Sequence, residues 1–194
     1  MMGAVYMEFE GIRLFPVLKL GLSQIYLNKS KLEAIEKWFC PEHMDGFEPL
    51  PVHDFGDGRY TLTDGHTRAY AAYQAGLTHV PVIYDKDDIV AGDVGKLLYR
   101  ADIEWCDRFN LKNISHLYNR IVSQEEYEKL WIERCDRSYS LLVLAPKEKR
   151  DPLYSKEPEL YLYGMSEDLA IWYYENEAGE LFFYKDGRLA REEI

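Results

Sequence analysis

Five consecutive residues, Asp64, Gly65, His66, Thr67 and Arg68, stand before an alanine-rich run that ends at Gly76. The run reads as a short helix with Gly76 as its terminator. The five residues therefore fall at a helix entrance, where N–H groups lack partners and the macrodipole is positive. A phosphate fits such a place through backbone donors. Gly65 lets the main chain approach closely, Thr67 offers a hydroxyl, and Arg68 offers a planar fork for two oxygens. His66 can donate a hydrogen bond, and it carries charge only if its pKa is raised. Asp64 is an acid beside a proposed anion. It fits as a helix cap or as a ligand to an intervening divalent cation such as Mg²⁺.

The same residues also admit a mundane reading. Asp64 or Thr63 caps the helix, Gly65 turns the chain, Arg68 pairs with a surface acid and His66 is incidental. The local residues leave both readings open.

The elements around the motif are legible as an alternation. IRLFPVLKL (12–20) is short, apolar and broken by Pro16, which suggests an edge strand. SKLEAIEKWF (30–39) reads as a helix with Ser30 and Glu33 as a capping box. LPVHDF (50–55) and RYTLTD (59–64) read as a hairpin about the turn Gly56–Asp57–Gly58. VPVIYD (80–85) is a further strand. Farther on, 87–109 reads as mainly helical, and 123–135 reads as a helix opened by a Ser123–Glu126 capping box. SYSLLVLAP (138–146) reads as a buried strand, followed by a charged loop over 147–159. Segments 159–164, 169–176 and 181–187 are aromatic strands, with a hairpin turn at NEAGE. The expected fold class is α+β: a small mixed sheet with helices, then helices and an aromatic-rich antiparallel sheet packed as an extension or second subdomain. The expected division is 1–90 and 91–194.

TDGHTRAYAAYQAGLTHVPVIYD (63–85) resembles the ParB/sulfiredoxin superfamily. In the ParB N-terminal domain a strand ends in a glycine- and arginine-bearing motif, a helix follows to a glycine, and a V/I-P-V-type strand comes next. The likeness spans about 12–86, with LNKS (27–30) at the place of a polar loop. It implies phosphate contacts for Gly65, His66, Thr67 and Arg68, and a nucleotide (ATP, ADP or CTP) with Mg²⁺ as ligand. The sulfiredoxin branch places a cysteine where this chain has Gly65, which speaks against sulfinic acid reduction. The form D-G-H-x-R is similar to free-serine kinase-like members, which use an upstream glutamate. Asn28 and Ser30 occupy that neighbourhood here, with Glu33 and Glu36 on the next helix. The resemblance thus implies a protein binding a nucleotide or phosphorylated small molecule. If it is an enzyme, it would be a phosphotransferase or nucleotide hydrolase, with Asp64, His66 and Arg68 as catalytic residues and Asp64 on the metal. The alternatives are a regulatory or scaffold protein that binds a protein partner through the C-terminal aromatic sheet, and a DNA-associated ParB/nuclease-like factor.

Bulk composition narrows the partners. The 194 residues carry a net charge of −11, spread over both halves. Such acidity opposes nucleic acid and anionic membrane surfaces, because both are bound chiefly by Lys and Arg. The first 25 residues hold Glu8, Glu10 and Arg13, unlike a secretory leader. The expected location is cytoplasmic. Cys40, Cys106 and Cys135 match no disulfide or metal spacing. Cys40 with His43 forms half of a zinc pattern at most. His53 and Asp54 could meet His66 and Asp64 across neighbouring strands, giving a His/Asp cluster able to hold a metal or move a proton.

Overall fold

The computed structural model describes residues 8–44, 46–143, 151–153, 156, 157, 159–165 and 170–191. The chain is α+β and divides into two compact units, Met1–Tyr127 and Glu128–Ile194.

The first unit is built on a four-stranded sheet. Its strands are β1 (Ile12–Pro16), β3 (Leu50–His53), β4 (Thr61–Leu62) and β5 (His79–Tyr84); β2 (Leu27–Asn28) lies outside it. The order is β1-β5-β3-β4. β1 runs antiparallel to β5, β5 parallel to β3, and β3 antiparallel to β4. Val80, Val82, Leu50, Val52 and Leu62 are fully buried, so the alternate positions of three strands supply one core face. β1 is an edge strand, as its proline requires. Pairing of Val52 with Leu62 realises the expected hairpin.

Two helices frame this sheet: α1 (Lys29–Glu36) and α2 (His66–Gln74). Asn28, not Ser30, caps α1, its side-chain oxygen accepting from the Lys31 N–H at 3.2 Å. Its amide nitrogen donates to Gln124 Oε1. Asn28 is held there because β2 pairs in parallel with β6 (Ile121–Val122), a ladder that sequence periodicity did not show. Ala69, Ala71 and Ala72 on α2 are buried, and such small side chains permit close approach. Gly76 closes α2 with a φ of 84°, as expected of a C′ glycine.

The expected helix over 87–109 is two helices, α3 (Asp88–Ala91) and α4 (Asp93–Arg108), parted by extended backbone at Gly92. Asp87 caps the first by accepting from Ile89 N–H. Both belong to the first unit. Arg100 Nε and Nη2 donate to the Phe55 carbonyl at 2.9 and 2.7 Å. Tyr99 stacks on Phe55 at 5.0 Å, beside the cluster of Phe55, Val90 and Ile103. Arg59 forks onto Asp107 at 3.1 and 2.9 Å. These contacts tie the helices over 88–108 to the strands and turn of the first unit, which runs to Tyr127.

α5 (Gln124–Tyr127) ends the first unit, its Ser123–Glu126 capping box formed as expected. A π-helical turn, Glu128–Ile132, leads into α6 (Glu133–Leu142). The expected strand over 138–146 is therefore helix as far as Leu142, and 144–146 lie outside the described residues. The reason is the buried set Trp131, Arg134 and Ser138, whose spacing of three and four is one helical face. Most of the expected loop over 147–159 also lies outside the described residues.

The second unit's sheet is a meander in the order β10-β9-β8-β7. Its strands are β7 (Tyr161–Met165), β8 (Trp172–Glu175), β9 (Leu181–Lys185) and β10 (Arg188–Arg191). Three were expected. The fourth follows a two-residue turn, Asp186–Gly187, with φ of 49° and 78°. Asp-Gly is a favoured hairpin dipeptide, so the signal was present. Tyr174 is fully buried with Leu153 and Leu160, and Trp172, Phe182 and Tyr184 pack against that cluster.

Gly95 tests the α3–α4 junction. A Cβ there would collide with the carbonyl oxygens of Ile89 and Val90, which are backbone and cannot give way. Gly-to-Ala changes inside helices ordinarily stabilise by about 0.5–1 kcal/mol. Here Gly95→Ala is expected to destabilise by roughly 2 kcal/mol, measured by urea denaturation.

Candidate functional site

The site begins where β4 stops. Thr63 is pinned from three sides. Its N–H donates to Pro51 O at 3.1 Å, its hydroxyl to Asp85 Oδ2 at 2.6 Å, and its carbonyl accepts from the Tyr99 hydroxyl at 3.0 Å. Asp64 then turns outward, its side chain 82% exposed. Gly65 takes a left-handed conformation, φ 78° and ψ 18°, and is the N-cap of α2. Among the described residues no side chain caps the helix. Neither Asp64 nor Thr63 fills that role, so the capping half of the mundane reading is not realised.

The space where a Gly65 Cβ would stand is already taken. It would lie 2.8 Å from Leu50 Cδ2, 3.0 Å from Arg68 Nη2 and 3.4 Å from Arg68 Cζ. The guanidinium thus folds back over the Gly65 α-carbon and sits at the mouth of its own helix. Arg68 Nη1 donates to the Glu48 carbonyl at 2.9 Å. Nη1 also lies 3.6 Å from Glu48 Oε2, and Nη2 lies 3.9 Å from Asp64 Oδ2. Arg68 pairing with surface acids is the part of the mundane reading that is realised. Thr67 is half-buried on the same first turn.

His66 is not incidental. It is buried, and its Nε2 accepts from the Ser23 N–H at 3.1 Å. Ser23 in turn donates its hydroxyl to Leu62 O at 2.7 Å. An Nε2 that accepts leaves the neutral ring's proton on Nδ1. That Nδ1 is buried and has no hydrogen-bond partner among the described residues. Burial pulls the imidazole pKa from 6.5 down to about 4, with Asp64 opposing. The ring is therefore neutral at physiological pH.

Other candidates do not join this site. His53 bonds through Nδ1 to the Asp85 carbonyl at 2.8 Å, and Asp54 Oδ1 accepts from the N–H groups of Gly56 and Gly58. The expected His/Asp cluster is not assembled, because His53 is bonded to the Asp85 carbonyl and Asp54 to the amides of its own turn. Among the described residues no group of three or more His, Cys, Asp or Glu could hold a metal. Cys40 donates to Glu42 and meets His43 only through the main chain. Glu33 pairs with Lys29 across a helical turn, and Glu36 is exposed. Ser23 and Glu48 were not singled out in the sequence. Ser23 meets the motif from 43 residues away and Glu48 from 20, and no local pattern announces either.

No family model and no curated protein matches the chain. Several solved structures are similar to it, two of which follow. One is protein Atu1540 from Agrobacterium tumefaciens, at 16% identity and a TM-score of 0.38, covering 75% of this chain and 85% of the other. The other is the C-terminally truncated chromosome-partitioning protein ParB from Caulobacter crescentus, complexed with CTP-gamma-S. It is 19% identical at a TM-score of 0.33, over 67% of this chain and 92% of that one. Likeness at this level says nothing of activity. No helix among the described residues is long and apolar enough to cross a membrane.

His66 gives the fold a pH dependence. Unfolded, the ring takes up a proton near pH 6.5; folded, it does so near 4. Between these values the unfolded chain binds more protons, so stability rises with pH. The contribution is complete above the unfolded value and is lost as pH falls toward 4. Urea denaturation at pH 7.5 and pH 5 should differ by about 2 kcal/mol through this residue, and His66→Asn should remove that part of the difference. Gly65→Ala combines left-handed strain with a collision at Leu50. It should cost roughly 2–3 kcal/mol by the same measurement.

Proposed function

We propose that the entrance of α2 binds a phosphate group of a nucleotide or phosphorylated small molecule. The observation that carries this reading is the uncapped, left-handed Gly65 entrance with the Arg68 guanidinium folded over it. A helix start without a capping side chain leaves N–H donors available, and an arginine beside it adds a fork for two oxygens. The first-turn N–H groups of His66 and Thr67 would face the anion, with the Thr67 hydroxyl as a further donor. Arg68 would neutralise charge while its Nη1 stays anchored on the Glu48 carbonyl. His66 would contribute its Nδ1–H.

Asp64 is the residue for a cation. A single exposed carboxylate fits an ion that arrives with the ligand's phosphates and keeps several waters, as Mg²⁺ does. When bound, such an ion would offset charge between Asp64 and the phosphate oxygens. Should the bound phosphate be transferred or hydrolysed, this chain would supply position and charge neutralisation, which dominate such reactions. His66 is not suited to be the general base, since its Nε2 is occupied and its pKa is near 4.

Thermal unfolding with ATP, ADP and CTP, each with and without Mg²⁺, tests the proposal. At least one should raise the melting temperature, by an amount equivalent to about 2.7 kcal/mol at a hundred times its Kd. Arg68→Ala should abolish that rise and cost the ligand-free protein only about 1 kcal/mol, the worth of its bond to the Glu48 carbonyl. Absence of any rise with all three nucleotides would overturn the reading.

A further inference from the structure

The guanidinium at the mouth of α2 has two kinds of partner. Its bond to the Glu48 carbonyl is short, at 2.9 Å, and uses backbone. Its ion pairs with the carboxylates of Glu48 and Asp64 are long, at 3.6 and 3.9 Å. The carboxylate side chains are 84% and 82% exposed, against 18% for Arg68. Exposed pairs of this length contribute little and exchange readily with solvent. The carbonyl is thus a fixed anchor, and the two carboxylates are loose occupants on either arm of the fork. His66, buried with an Nδ1 that has no partner among the described residues, supplies an independent sign that the same helix start lacks an acceptor.

We infer that Glu48 and Asp64 act as a carboxylate clasp, competing with the incoming phosphate for Arg68 and lowering the affinity of the seat. The inference rests on the phosphate reading above. An anion that docks on the guanidinium displaces both carboxylates without breaking the anchor to the Glu48 carbonyl. The displaced carboxylates stay tethered to the same loop and the same helix start, so they repel the anion that replaced them. Like charges a few ångströms apart repel even in a water-like medium, enough to weaken binding about threefold each. Neutralising either side chain without changing its shape should therefore strengthen binding. Asp64 also favours the start of α2 through the helix dipole. Its neutralisation should raise affinity and lower stability together, a pairing that a merely structural role does not produce.

The test is calorimetric titration with ATP and with inorganic phosphate, without divalent cation, on the whole chain. Wild type, Glu48→Gln, Asp64→Asn and Arg68→Ala are compared, with Glu10→Gln as a control for net charge alone. Glu48→Gln and Asp64→Asn should each bind three- to tenfold more tightly than wild type, and the gain should shrink as salt rises. Glu10→Gln should match wild type, and the melting temperature of Asp64→Asn should fall. Equal or weaker binding by Glu48→Gln, with Arg68→Ala still losing the ligand, would overturn the clasp and leave the seat intact. No binding by wild type or either neutralised variant would overturn both.

Discussion

A left-handed residue stands between β4 and α2, and the void beside its α-carbon is filled by a leucine methyl and a guanidinium. That arrangement lets the chain leave a buried strand and enter a buried helix with only three residues between Leu62 and His66. An L side chain at Gly65 would need both unfavourable dihedrals and a displaced Leu50. Because the turn is this tight, nothing remains to cap the helix, and Arg68 lies over the place where a capping side chain would otherwise sit. The uncapped entrance and the position of the guanidinium are one feature seen from two sides.

The second constraint is the tautomer of His66. Accepting from Ser23 fixes the proton on Nδ1, and burial keeps the ring neutral. Ser23 is bonded at the same time to Leu62, at the end of β4. The helix start, the strand end and the segment near Ser23 are therefore one hydrogen-bonded unit. A buried donor without an acceptor costs about 1–3 kcal/mol. The fold carries that cost at the first residue of α2, the kind of local inconsistency that functional sites tolerate.

The motif at 64–68 and the order of surrounding elements were legible because each depends on neighbours in sequence. Glycine before an alanine-rich run, proline on an edge strand and Asn-Glu-Ala-Gly as a turn all act over a few residues. The capping residue of α1 was misplaced by two, because Asn28 is positioned by a ladder with Ile121 and Val122 that no local pattern reveals. The segment from Ser138 reads as a strand by its apolar run alone, yet Trp131 and Arg134 place it on a helical face. His53 and His66 looked like partners by type, but a carbonyl at Asp85 and an amide at Ser23 claim them separately. What stayed illegible in each case is a tertiary partner many residues away.

The acidity of the chain gives the site its character. With a net charge of −11, the surroundings of α2 oppose any anion at long range. Salt at physiological strength screens such repulsion beyond about 8 Å. On the phosphate reading, selection of an anion would then rest on groups within that distance, and these are of two sorts. Backbone N–H groups and a guanidinium keep their character across the pH range in which proteins fold. The carboxylates of Glu48 and Asp64 are on exposed side chains and lie 3.6 and 3.9 Å from the guanidinium. On the phosphate reading proposed above, such donors overlaid by exposed acceptors would favour a ligand with enough charge and enough oxygens to satisfy the donors at once. A single carboxylate from the bulk would not do so, since two carboxylates of the chain already lie against the same fork.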